Sequence, residues 1–140
     1  METTKPITEC SLDTNVLLRW IIGDDVKHLK LVQDLIEKPS IKKIHLADVV
    51  IAEMVWVMQS LYKLDRTEIV EAIEILLNSP KFVLNKSLFA KVVEIYPNKK
   101  SLSFVNLMLV FYTQLNQSAP LVTFDTKLSK NFSSILLLKN

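Results

Sequence analysis

Apolar residues fall in short runs that alternate with longer periodic stretches along the chain. The short runs read as strands: Ile7–Asp13, Ile44–Asp48, Phe82–Leu84, Leu121–Asp125 and Ile135–Leu138. Glu9 and Ser11 weaken the first of them. Helical patterns cover Asn15–Ile22, Val26–Lys38, Val49–Lys63, Asp65 to about Asn78, Ser87–Tyr96 and Ser103–Asn116, with a helical turn at Lys127–Phe132. Asp65 and Glu68 have capping-box spacing. The Val49 and Ser103 helices are apolar nearly all round, as helices packed hard on a buried parallel sheet are. Pro39, Pro80, Pro97 and Pro120 punctuate the pattern. Strand alternating with helix predicts an α/β fold, a three-layer α/β/α sandwich with a mainly parallel central sheet. A length of 140 residues suits one domain, 1–140, with one core.

Composition adds three constraints. Hydrophobic residues make up 49% and mean hydropathy is +0.25, more than a small monomer needs, so a partner is expected to cover some apolar surface. No apolar run approaches the roughly 18 residues of a membrane span. METTKPITEC lacks the basic-then-apolar pattern of a signal peptide, and Cys10 is a lone cysteine. The expectation is a reduced, soluble, cytoplasmic protein with no membrane association. Charge is uneven. Residues 1–80 carry 9 Lys and Arg against 13 acids, net −4, while residues 81–140 carry 8 Lys against 2 acids, net +6. Such asymmetry points to a polyanionic partner or to a solvated basic face. Gly23 is the only glycine, which excludes a glycine-rich phosphate loop.

Chemistry concentrates at the strand ends. Ligands of open parallel α/β sheets bind beyond the carboxyl ends of the strands. Three predicted strands end in aspartate: Asp13, Asp48 and Asp125. Asp48 reads as a cap of the helix that follows. Asp13 and Asp125 are each followed by a threonine (Thr14, Thr126) able to cap, which frees the carboxylates for other work. Glu53 is the only charge in VVIAEMVWVM and is expected to be buried, hence salt-bridged to Arg19 or a lysine, protonated, or bound to metal. Asn106 interrupts SFVNLMLVFY as a cap, a core amide or a functional group. Carboxylates gathered at one edge repel, and a divalent cation relieves this. Oxygen donors suit Mg²⁺ or Mn²⁺, able to activate water at a phosphodiester. Without a Cys/His set zinc is not expected, and His28 and His45 read as isolated and exposed. Trp20 and Trp56 read as core.

DTNVLLR, the single-glutamate helix VVIAEMVWV, the SF-V-N helix start and TFDTKL, in that order, resemble the PIN domain, and within it the toxin ribonucleases of prokaryotic VapBC-type toxin–antitoxin pairs. The resemblance runs from about Ser11 to Phe132. It implies a metal-dependent endoribonuclease holding Mg²⁺ or Mn²⁺ on four acids. Carried over, these are Asp13, Glu53 and Asp125, with Asn106 standing where the third acid is usual. An asparagine keeps one neutral oxygen and loses the charge. The resemblance also implies an RNA substrate, a cognate antitoxin protein and a homodimer. On that reading Thr14, Asn15, Lys99, Lys100 and Lys127, with Lys130, would contact RNA. Two other readings compete: a non-catalytic PIN-like module binding RNA or protein, and a phosphoacceptor receiver domain. The receiver domain needs a paired acidic motif and a late-strand lysine that this chain does not show.

Overall fold

The computed structural model describes residues 6–140, so the first five residues of METTKPITEC lie outside the described part. Every element expected from the apolar pattern is present. In chain order they are β1 (Glu9–Ser11), α1 (Thr14–Ile22), α2 (Val26–Glu37), β2 (Lys43–His45), α3 (Asp48–Ser60), α4 (Arg66–Asn78), β3 (Phe82–Val83), α5 (Lys86–Ile95), α6 (Phe104–Leu115), β4 (Leu121–Thr123), α7 (Thr126–Asn131) and β5 (Ile135–Leu137). Among the described residues all strand pairing is parallel, and the fold is α/β and PIN-like. Hydrogen bonds join the strands as a three-stranded sheet, β1-β2-β3, and a two-stranded sheet, β4-β5. The strands are shorter than their apolar runs, because Asp13 and Asp125 already cap the next helix and so leave the ladder two residues early. Among the described residues no helix is long and apolar enough to cross a membrane.

The residues form two compact units. The first comprises residues up to Leu64 together with Glu74–Asn85. Its sheet pairs Cys10 with Ile44 and Ile44 with Phe82, and Ile44 is fully buried at the centre. Leu17, Leu18 and Val32 come inward from α1 and α2. From α3 come Val50, Ile51, Met54, Val55 and Met58, a stripe at helical spacing. Each such side chain contributes roughly 1.5–3 kcal/mol on burial. That outweighs the few tenths per residue lost by β-branched residues in a helix. Trp20 is half-buried with its ring 5.3 Å from that of Phe82. The α1–α2 corner turns at Gly23, whose φ of 69° lies in the left-handed region open to glycine. Its amide closes α1 on Arg19 O at 3.2 Å.

The second unit comprises Asp65–Ile73 and residues from Lys86 on. Asp65 and Glu68 form the expected capping box: Glu68 N donates to Asp65 Oδ1 (2.8 Å) and Asp65 N to Glu68 Oε1 (3.3 Å). Helices α5 and α6 pack through Phe89, Tyr96 and Phe104, with Tyr96 edge-on to Phe104 at 5.2 Å. The loop between these helices is fixed by Arg66. Its guanidinium donates to Tyr96 O (2.9 Å), Leu102 O (2.8 Å), Lys100 O (3.1 Å) and Lys99 O (3.3 Å) and lies 4.1 Å over the Tyr96 ring. A planar five-donor fork suits four converging carbonyls in a way that an ammonium does not.

Candidate active site

In the first unit, Asp13 lies two residues beyond β1 and Asp48 three beyond β2, both at the carboxyl end of the parallel sheet. The capping roles differ from expectation. Asp13 itself is the N-cap of α1, its Oδ1 accepting from Val16 N at 2.9 Å, and Thr14 is the first helical residue. Aspartate outranks threonine at this position. Asp13 Oδ2 has no protein partner among the described residues. Asp48, expected as a cap, is instead the first residue of α3, whose cap is Ala47 with no side-chain bond. The Asp48 carboxylate accepts from Asn85 Nδ2 at 3.3 Å.

Glu53 corrects a second expectation: it is exposed, not buried. The buried stripe of α3 leaves Val49, Glu53 and Trp56 on the opposite face, and Trp56, expected in the core, is 63% exposed. The nearly all-apolar sequence of α3 hides which face is inward. Glu53 makes no ion pair or hydrogen bond among the described residues, so the salt bridge to Arg19 is not formed. It lines a cavity of about 360 Å³ with Thr14, Asn15, Leu18, Arg19, Val57, Leu61 and Tyr62. Thr14 and Asn15, two of the expected phosphate contacts, thus share a wall with Glu53.

In the second unit, Ser103 caps α6 and its Oγ accepts from Asn106 N at 3.1 Å. Asn106 is therefore the third helical residue rather than a cap. It is half-buried, and its carboxamide has no hydrogen bond among the described residues. Asp125 caps α7 through Oδ1 to Leu128 N (3.0 Å), while its own amide donates to Thr123 Oγ1 (3.0 Å). As at Asp13, the second carboxylate oxygen has no partner among the described residues. Lys99, Lys100, Lys127 and Lys130 are all exposed. The first two ride on the loop that Arg66 holds.

The histidines are not isolated. His45 Nε2 lies 2.8 Å from Glu9 Oε1 across the β1-β2 pair, and this hydrogen bond is the main cause that holds the Glu9 carboxyl below its usual range. His28 Nδ1 lies 2.9 Å from Asp25 Oδ2 at the start of α2. Arg19, Tyr62 and Arg66 were not expected among the positioning groups. The chain uses lysine for 15 of its 17 cations, so its two arginines, Arg19 and Arg66, were the available signal. Arg19 Nε is shielded from solvent and has no hydrogen-bond partner among the described residues.

Among the described residues, no group of three or more His, Cys, Asp or Glu side chains is placed to hold a metal by itself. The donor chemistry still fits a hard cation. Mg²⁺ is commonly held by one or two carboxylates, waters and substrate phosphates. Oxygens without a partner among the described residues, on Asp13 and Glu53 in the first unit and on Asn106 and Asp125 in the second, are of that chemical kind. The PIN-domain family model matches residues 11–131, and the chain belongs to the PIN-domain family. PIN domains are in general nucleases, typically dependent on divalent metal and directed at RNA. No curated protein and no solved structure matches the chain.

Proposed function

We propose that this PIN domain is a metal-dependent endoribonuclease, the toxin of a toxin–antitoxin pair acting in the cytoplasm. The observation that carries the reading is the pair of aspartates, Asp13 and Asp125, each spending one oxygen on a helix cap and keeping the other unpartnered beyond a parallel strand. The family match spans residues of both units, which supports a single domain over 1–140. Asp13, Glu53, Asn106 and Asp125 would hold Mg²⁺ or Mn²⁺. Bound there, the cation supplies Lewis-acid polarisation of a phosphodiester and lowers the pKa of water. The caps fix one oxygen of Asp13 and one of Asp125 and leave the other of each available as a ligand. Glu53, exposed and unpartnered, is the group free to accept a proton from the attacking water. Thr14 and Asn15 hold the substrate from the start of α1. Lys99, Lys100 and Lys127 neutralise flanking phosphates.

Exposed apolar side chains support the protein partners, a cognate antitoxin and a second copy of the chain. Val49, Trp56 and Leu61 stand out from the first unit, and Val105, Leu109, Tyr112 and Leu115 from α6. Asn106 in place of an acid favours a second reading, a PIN-like module that binds RNA or protein without cutting. Incubating purified protein with single-stranded RNA separates the two. Cleavage with Mn²⁺ or Mg²⁺ that chelator abolishes is expected. RNA binding with no metal-dependent cleavage would establish the binding module instead.

A further inference from the structure

The cavity between α1 and α3 is lined by two opposite charges that do not pair with each other. Arg19 and Glu53 line the same walls, yet no ion pair joins them. The Arg19 guanidinium makes no hydrogen bond among the described residues; its nearest carboxylate oxygen, Asp24 Oδ1, is 3.9 Å away. Its Nε is shielded from water and unpaired. Tyr62 is anchored differently, its hydroxyl donating to Asp24 Oδ2 at 3.3 Å, so its ring is held at the cavity wall. Leu18, Val57 and Leu61 supply the remaining lining.

These walls select a kind of ligand. A bare anion at Arg19 would meet negative charge from Glu53 and Asp24. A purely apolar ligand would leave the guanidinium unsatisfied. A flat, neutral ring with two adjacent acceptors on one edge meets both conditions. About 360 Å³ lies within the usual range for small-ligand sites. Among nucleobases, guanine presents O6 and N7 side by side, the pair a guanidinium fork matches in two hydrogen bonds. Unstacked RNA bases are also commonly received on aromatic side chains.

We propose that this cavity is a guanine subsite, with Arg19 donating to O6 and N7 and with Tyr62 and the three aliphatic residues covering the ring. It rests on the nuclease reading, since Glu53 and Asn15 line the same cavity, and it adds a base preference next to the proposed cleavage site. Arg19 acts on specificity and takes no part in the bond-breaking step.

The test titrates the full chain with guanosine 5′-monophosphate and, separately, adenosine 5′-monophosphate, in chelator, followed by amide NMR shifts. Guanosine monophosphate should bind about tenfold more tightly, within the range a good bidentate contact gives. Shifts should centre on Arg19, Val57 and Tyr62. Arg19→Ala should bring the ratio to about one. Arg19→Lys keeps the charge and the aliphatic stem without the fork, and should also lose the preference; it carries the test if the alanine variant does not fold. Equal affinity for the two nucleotides, shifts elsewhere on the molecule, or a preference that survives in both variants would overturn the subsite. Metal-dependent cleavage of RNA is scored separately. A chain that cleaves without guanine preference refutes the subsite alone, and one that prefers guanine without cleaving refutes the nuclease reading alone.

Discussion

Asp13 and Asp25 stand at the starts of consecutive helices, and each caps its helix by accepting a backbone amide on Oδ1, at 2.9 and 3.0 Å. Their second oxygens differ. Asp25 Oδ2 is taken by the His28 ring at 2.9 Å, so that carboxylate is used on both sides. The His28 backbone amide, followed by the charge of His28, holds the Asp25 carboxyl below its usual value of 3.8. Asp13 Oδ2 has no partner among the described residues, and Asp13 follows a parallel strand and precedes Thr14 and Asn15, which line a cavity. The same residue type in the same local role is thus closed at α2 and open at α1. Capping geometry alone does not mark a working carboxylate; the use of the second oxygen does.

The largest effect that would break this comparison is on catalysis. Asparagine caps a helix about as well as aspartate but cannot supply an anionic oxygen. Asp13→Asn should therefore lower metal-dependent RNA cleavage on the order of 10²-fold, as loss of one group that stabilises developing charge does. Its melting temperature should stay close to that of the parent. Asp25→Asn should leave the cleavage rate within about twofold, because its carboxylate is consumed by α2. Asp13→Ala removes the cap as well and should cost about 1 kcal/mol in denaturant unfolding beyond the asparagine variant. A cleavage loss in Asp25→Asn equal to that in Asp13→Asn would remove the distinction.

Much of this was visible in the chain. Strand and helix alternation is written in apolar spacing, and the Asp65/Glu68 box is a local motif whose two hydrogen bonds form as its spacing requires. What failed was the choice of face. In α3, Val49 and Trp56 share the outer side with Glu53, so hydropathy could not say which stripe faces inward. Glu53 was therefore misjudged as buried, and the salt bridge that burial would have required is not formed. Asp48 and Asp13 traded roles because a one-residue shift of a helix start decides which side chain reaches the third amide. For the Arg66 clamp the choice of arginine in a lysine-rich chain was the only signal, and it named no partners: these are backbone carbonyls of Tyr96, Lys99, Lys100 and Leu102, about thirty residues on, and any sequence supplies carbonyls.

A smaller effect is expected at Asn106. As the third residue of α6 its carboxamide is half-buried and unbonded, and a negative charge there is favoured by the helix dipole with or without metal. Asn106→Asp should raise Mn²⁺-dependent cleavage about tenfold. It should also enlarge the rise in melting temperature that Mn²⁺ causes. Equal gains in melting temperature with and without Mn²⁺ would show a dipole effect only and place Asn106 outside the site.

The smallest effect concerns acid. A lowered folded pKa makes Asp25 stabilising above the unfolded value, and that contribution is lost as pH falls through the folded one. The melting-temperature gap between the parent and Asp25→Asn should be full near neutrality and close as pH drops below 3.8. A gap that is constant across that window would mean that the ionised carboxylate of Asp25 gives α2 nothing.

Calorimetric titration with Mn²⁺ of the parent, Asp13→Asn and Asp25→Asn bears most directly on the open oxygen at α1. The parent and Asp25→Asn should give the same binding heat, and Asp13→Asn, folded and with its cap intact, should give little or none. Equal heat from all three proteins would contradict the assignment of Asp13 as a metal ligand.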